Sequence, residues 1–440
     1  MFYSHVIDDA LESKVGKSGL PQASLDRELA RASAALDRFR QWKADGTLPL
    51  LSLPGARDDL ALLKPHAARF ARFEHVIVLG TGGSSLGGQT LVALKDLGFG
   101  PQDGRPKLWF MDNVDPSTFT ELAARLPLAR TGLIVISKSG TTAETLTQFL
   151  TLLPEFEAKV GKDRLAEHVI AITEPSDNAL GRLAARIGCP ILDHDPKVGG
   201  RFSVLSLVGL LPAMIAGLDV GAVREGAASV LDPVLEASDA HDLAPAVGAA
   251  LSIGLAKERG IGTTVLMPYC DRLGYFGFWY RQLWAESLGK GGNGTTPVRA
   301  MGTVDQHSQL QLYLGGAPDK MFTVLILDTA GKGKPITAES LGGDKGLAYL
   351  ENQSLGDLLL AEADATAATL IKNGRPTRVM RITTLDERVM GALMMHYMLE
   401  TMFAAELLGV DAFDQPAVEE GKILTRQYLS ARVSSTGRRP

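Results

Sequence analysis

The sequence predicts an α/β protein with two doubly wound parallel-sheet units, a helical segment before them and a helix after them. Three observations predict it. Short, nearly continuous apolar runs recur along the chain, as strands buried on both faces require. Most of these runs are followed by a stretch of helical periodicity, the alternation that builds a covered parallel sheet. The 440 residues are enough for two domains or three. The boundaries expected are a helical segment over 1–50, a first unit over 51–220, a second unit with a helical bridge over 221–410, and a C-terminal helix and tail over 411–440.

Residues 26–40 put charge on one face and Leu, Ala and Phe on the other, which predicts a helix, and Pro54-Gly55 punctuates. The first apolar run is Val76-Ile77-Val78-Leu79, followed by glycines and a helical stretch over 86–97. Leu108-Trp109-Phe110-Met111 is the second run, and Asp115-Pro116-Ser117 offers a helix start before 119–126. Leu133-Ile134-Val135-Ile136 precedes a helix over 142–153, and Val169-Ile170-Ala171-Ile172 precedes one over 178–187. Residues 205–257 read as largely helical. Strands are then expected at 264–267, 322–327 and 378–382, with helices at 276–287, 355–371 and 387–408. The tail from Ser434 to the end is expected to be disordered.

Composition narrows the function. Hydrophobic residues make up 45% and charged residues 22%, with a net charge of −5. A disordered chain would need fewer apolar residues, and a broad nucleic-acid binder would need a basic excess. Two cysteines, Cys189 and Cys270, make no disulfide framework and fit a reducing compartment. The longest apolar stretch, 204–218, carries Ser206 and Pro212 and falls short of the roughly 20 residues of a membrane span. The first 14 residues contain Asp8, Asp9 and Glu12 and do not read as a signal peptide. A cytoplasmic location is expected.

Six segments carry chemistry. Gly80-Thr81-Gly82-Gly83-Ser84-Ser85-Leu86-Gly87-Gly88 lies between a strand and a helix, where glycines let backbone N–H groups approach an anion. Ser85 stands where the dinucleotide fingerprint needs glycine, and no Lys-Ser/Thr pair completes a Walker loop. Taken alone, a tight turn without ligand is as good a reading. Ser137-Lys138-Ser139-Gly140-Thr141-Thr142-Ala143-Glu144 offers four hydroxyls and a helix start; its plain alternative is a capping box from Thr141 to Glu144. Two such loops after parallel strands favour a phosphorylated small molecule, because ligands of these sheets bind beyond the strands' carboxyl ends.

Gly199-Gly200-Arg201-Phe202-Ser203 suggests a cation held near developing negative charge, although most single arginines are surface residues. Glu286 ends an aromatic-rich helix, where Trp279, Tyr280 and Trp284 would desolvate it toward general-base work; alone, a solvated glutamate is the commoner case. His307, in Asp305-Gln306-His307-Ser308-Gln309, would by itself be structural. Gln415 and Lys422 lie seven residues apart, two helical turns on one face, or else on a solvated C-terminal helix. Asp193-His194-Asp195 lacks a further ligand at metal spacing, so no metal is expected.

Together these segments resemble the phosphoglucose isomerase (glucose-6-phosphate isomerase) family in its shorter bacterial form. The match runs in order over 76–422, and twenty-one residues separate Glu286 from His307, as in the short form. One departure is Ser139-Gly140, where many relatives have threonine and a bulky residue. The resemblance implies two sugar-isomerase (SIS) domains, a C-terminal helix crossing to the other domain, and a homodimer whose histidine reaches the partner's site. It implies that Gly83, Ser84, Ser137, Lys138, Ser139, Thr142, Glu144 and Gln415 contact a sugar phosphate and that Arg201 stabilises an enediolate. It also implies Glu286 as the base and His307 with Lys422 in ring opening, with no cofactor. The competing classes are a non-catalytic sugar-phosphate sensor, an isomerase that also takes mannose 6-phosphate, and a nicotinamide-dependent dehydrogenase, which fails at Ser85.

Overall fold

Ten strands form two five-stranded sheets in a computed structural model that describes residues 2–101 and 103–436. The first sheet holds β2 (His75–Leu79), β3 (Lys107–Met111), β4 (Thr131–Ile136), β5 (Val169–Thr173) and β6 (Ile191–Asp193), all parallel, in the order β3-β2-β4-β5-β6. The second holds β7 (Thr263–Tyr269), β8 (Thr296–Arg299), β9 (Lys320–Leu327) and β10 (Thr377–Ile382) in parallel, order β8-β7-β9-β10. An antiparallel edge strand β1 (Tyr3–Val6) lies on β10.

Alternation explains the apolar runs. On β2, Val76 and Val78 face one core while Ile77 and Leu79 face another; β4 and β5 divide in the same way. On β9, Met321, Leu325 and Leu327 join the core that takes Val76, whereas Phe322, Val324 and Ile326 enter a third. One central core is therefore shared by the inner faces of both sheets, and a separate core covers each outer face. The shared core is filled by the helices Gln22–Ser33, Ala35–Ala44, Leu207–Ile215, Val220–Glu236, Ala244–Arg259 and Glu387–Leu408. In the last of these, 389–405 are buried without interruption. A helix buried all round has no polar stripe, which fits its central place. Pro212 lies within the buried helix Leu207–Ile215, as expected.

The expected strands and most expected helices stand within a few residues of their places, but 26–40 is divided between Gln22–Ser33 and Ala35–Ala44, and the helix expected over 86–97 is Gly83–Val92. Asp115 and Asn178 cap their helices by accepting from Thr118 N and Gly181 N. Periodicity did not anticipate β1, β6 or β8. At the C-terminus the helix Glu419–Thr436 takes in Ser434-Ser435-Thr436, so the expected disorder does not begin there; 437–440 lie outside the described residues. Residues 419–432 of this helix are exposed, including Ile423, Leu424, Tyr428 and Leu429. It does not cross onto the second sheet within its own chain. Both cysteines are free and buried. No helix among the described residues is long and apolar enough to cross a membrane.

Candidate active site

The first sheet reverses its strand order between β2 and β4, because the chain leaves β2 for β3 on one side and goes from β4 to β5 on the other. A crevice opens at the carboxyl ends of strands at such a reversal. Both hydroxyl-rich loops emerge there. The helix Gly83–Val92 follows β2 with Gly82 as its N-cap, and Ala143–Val160 follows β4 with Thr142 as its N-cap; neither start has a side-chain cap. Uncapped helix starts leave N–H groups free for an anion.

The expected capping box at the second loop is absent. Thr142, not Thr141, is the cap residue, and its hydroxyl pairs with Ser137 Oγ at 2.8 Å. Ser139 Oγ meets Thr141 Oγ1 at 3.0 Å, and Glu144 is exposed. The hydroxyls thus pair with one another at the helix start, a cluster that can also donate to an anion's oxygens. Lys138 is half-buried, and burial lowers its proton affinity first; Glu174 and Asp195 raise it and Arg201 lowers it. Lys138 is thus within electrostatic reach of Arg201. His194 is buried and its Nδ1 contacts Asp195 O at 2.9 Å.

The Gly199–Gly200 turn is built against the first loop. A Cβ on Gly83 would fall 2.1 Å from Gly200 C, so the two backbones touch where no side chain fits. Ser203 Oγ donates to Gly200 O at 2.7 Å. This seats Arg201, which is buried, with every N–H engaged. Nε donates to Ser287 Oγ (2.8 Å); Nη1 to Gln415 Oε1 (2.8 Å) and Glu286 Oε2 (3.3 Å); Nη2 to Ala412 O (2.5 Å) and Asp414 O (3.0 Å). A guanidinium has five N–H donors, and these five bonds use them all. Burial lowers its proton affinity and Glu286 opposes that most.

Glu286 comes from the second unit. The helix Gly274–Leu288 lies antiparallel to Gly83–Val92: its start shares a cleft with Val92 and Ala93, and Gln282 near its end presses on Gly82. The Glu286 side chain is 35% exposed, and its Oε1 accepts from Gln282 Nε2 at 3.2 Å. The aromatic residues expected around it face the core instead. Trp284 donates to Thr295 Oγ1 (2.9 Å) and Tyr280 to Thr264 Oγ1 (3.2 Å), because the apolar face of the helix turns inward. The carboxylate is met by polar partners, Arg201 and Gln282.

Gln415 reaches this cluster and Lys422 does not. Gln415 lies before a 3-10 turn (Pro416–Val418), so the two residues are not on one helix; Lys422 donates to Glu419 at 2.7 Å on the exposed surface. His307 is exposed in the turn Val304–His307, and its side chain makes no hydrogen bond among the described residues. It follows the carboxyl end of β8, whereas Glu286 ends the helix that leads into the start of β8. That helix has 15 residues, about 22 Å at 1.5 Å each. Glu286 and His307 thus lie at opposite ends of the second sheet.

Sequence reasoning missed Gln282, although its place one turn before Glu286 was a signal, and gave no part to Ser287 or Lys290. It also missed the backbone of 411–414, which carries no side-chain signal.

A family model described as phosphoglucose isomerase matches residues 65–315. A glucose-6-phosphate isomerase of Rubrobacter xylanophilus is 40% identical, covering 80% of this chain and 81% of that protein. A probable glucose-6-phosphate isomerase of Haloquadratum walsbyi is 37% identical over 92% of this chain and 90% of its own. Among solved structures, a hypothetical protein of Thermus thermophilus is 32% identical with a TM-score of 0.86, covering 97% of this chain and 99% of that one. A glucose-6-phosphate isomerase of Chlamydia trachomatis has the same fold at 20% identity, with a TM-score of 0.78 over 99% of this chain and 94% of that one.

Proposed function

The chain belongs to the phosphoglucose isomerase family, and from that premise we propose how its site interconverts glucose 6-phosphate and fructose 6-phosphate. The enzyme is an aldose–ketose isomerase. The single observation that carries the mechanism is the contact between Glu286 and Arg201, 3.3 Å apart, beside the crevice where two uncapped helix starts meet. A phosphate in the crevice takes hydrogen bonds from Ser84, Ser137, Ser139 and Thr142 and from the N–H groups at Gly83, with Lys138 adding charge. Remote binding of this kind positions the reacting carbons.

Glu286 then takes the proton from C2 of the open-chain aldose. The C–H pair forms the C1–C2 double bond of a cis-enediolate, and the carbonyl electrons move to O1. The O2 hydroxyl proton passes to O1, and the same carboxyl returns its proton to C1 as the ketone forms at C2. Arg201 balances the negative charge, which requires Nη1 to release Gln415 or Glu286, because its donors are full. Neither step needs an external oxidant or reductant.

His307 and Lys422 are assigned to ring opening. The separation of Glu286 and His307 within one chain supports a homodimer in which His307 serves the partner's site. The exposed helix carrying Lys422 supports its closing over the site when substrate is present.

Purified protein incubated with fructose 6-phosphate and a chelator is expected to yield glucose 6-phosphate. Glu286→Gln is expected to keep phosphosugar binding and lose about 10²- to 10⁴-fold in turnover. Near-normal turnover would remove Glu286 from the role of base.

A further inference from the structure

Lys290 lies four residues after Glu286, inside a segment that resembles the family yet carries no assigned part. Its ammonium has three N–H donors, and three acceptors meet it: Ser287 O at 3.1 Å, Asp414 Oδ1 at 2.8 Å and Asp411 O. Its side chain is only 14% exposed. No donor is left for a substrate.

Those three bonds join two pieces of chain. Ser287 belongs to the last turn of the Glu286 helix, whose free carbonyls a cation stabilises. Asp411 and Asp414 belong to the strap 411–415, which connects the long buried helix to the C-terminal one. Arg201 holds the same strap through Ala412 O, Asp414 O and Gln415 Oε1. Asp414 is shared: its carboxylate goes to Lys290 and its carbonyl to Arg201. The strap also borders a cavity of about 630 Å³, and its apolar anchorage is the buried Ala412 together with the Phe413 ring against Trp42 and Phe202. The polar anchorage all comes from the site side.

The two cations are not equivalent. Arg201 must release a strap or glutamate bond to meet the developing charge, whereas nothing in the reaction calls on Lys290. We propose that Lys290 is a positioning residue of the isomerase: it ties the strap 411–415 to the end of the Glu286 helix and so keeps Arg201 and Glu286 in register while Arg201 exchanges partners. The proposal rests on the reading of Glu286 and Arg201 given above. A shift of about 1 Å in such groups costs about 100-fold in rate. The phosphate loops lie on the first sheet, and among the described residues they make no hydrogen bond or ion pair with Lys290.

The test is steady-state kinetics on Lys290→Met, Lys290→Arg, Asp414→Asn and the double variant Lys290→Met/Asp414→Asn. Lys290→Met is expected to lose about 10- to 100-fold in kcat, with inhibition by inorganic phosphate changed less than about twofold because the loops are untouched. Lys290→Arg, which keeps charge and reach, is expected to recover most of the loss. The double variant is expected to be no slower than the worse single one, since both break the same tie. A folded Lys290→Met with wild-type kcat, or losses that multiply in the double variant, overturns the proposal. If Lys290→Met does not fold, Asp414→Asn decides alone: wild-type kcat there overturns it too. An inactive wild-type protein overturns the isomerase reading itself, a result distinguishable from an active wild type with indifferent variants.

Discussion

Gly140 shows how a single residue sets the phosphate loop. Its φ is 63°, in the left-handed region, and a Cβ there would fall 1.8 Å from Asn178 Oδ1. Asn178 cannot yield freely, because that oxygen caps the next helix by accepting from Gly181 N at 2.8 Å. Gly140→Ala therefore adds about 1–2 kcal/mol of backbone strain and the loss of a cap, about 1 kcal/mol. The expected outcome is a melting midpoint lower by several degrees and a raised KM for the phosphosugar, with kcat nearly kept because Arg201 and Glu286 are elsewhere. Calorimetry and initial rates check both; an unchanged KM would mean that this loop does not cradle the phosphate. The glycine and the hydroxyls were legible in the sequence as a strand-to-helix turn. Their partners were not, since Asn178 is 38 residues on and Glu286 is 85 residues beyond Arg201. Local spacing names the reactive residues but not the distant groups that orient them, such as Gln282 and the 411–414 carbonyls.

Among the elements, strands buried on both faces could be read from their unbroken apolar runs, and β1, β6 and β8 could not. These three have three or four residues, and each lies at a sheet edge with part of its surface exposed. What fastens β1 is equally hidden in the sequence. Tyr3 Oη meets His396 Nδ1 at 2.7 Å, His396 Nε2 meets Glu400 Oε2 at 3.0 Å, and Glu400 pairs with Arg378 of β10 at 2.9 Å, all buried. His5 packs edge-on against His396, and its Nε2 has no partner. Burial is the main cause that holds both histidines below their ordinary value of 6.5, with Arg378 adding to it. The unfolded chain binds these protons near pH 6.5 and the folded chain does not. Stability is thus whole above that pH and is lost as pH falls toward the depressed values. Melting curves are expected to drop between pH 7.5 and 5.5, and less steeply for His5→Phe; an equal slope in that variant would exclude His5 from the effect. Glu400→Gln leaves Arg378 buried without its anion and is expected to cost about 3–5 kcal/mol by denaturant unfolding at pH 7.

The whole molecule leaves several large apolar side chains uncovered, among them Val304, three residues before His307. Val304 is 68% exposed, Tyr349 72% and Leu355 78%, and Ile423, Tyr428 and Leu429 project from the C-terminal helix. A second copy that buries such side chains is the occupant the proposed mechanism needs. The order of elements separates Glu286 from His307 by the length of a helix, so a site needing both is completed between two chains or not at all. A mixing experiment decides this. Glu286→Gln and His307→Ala chains are each expected to be nearly inactive as pure preparations. Dissociated together and allowed to reassociate at random, about half the dimers are mixed. In each mixed dimer one site inherits both substitutions and the other inherits neither, so the mixture is expected to regain about a quarter of wild-type turnover. If both groups acted within one chain, every site would still lack one of them and no activity would return. A mixture shown by differently tagged chains to have exchanged subunits, yet still inactive, would remove His307 from its part in the partner's site.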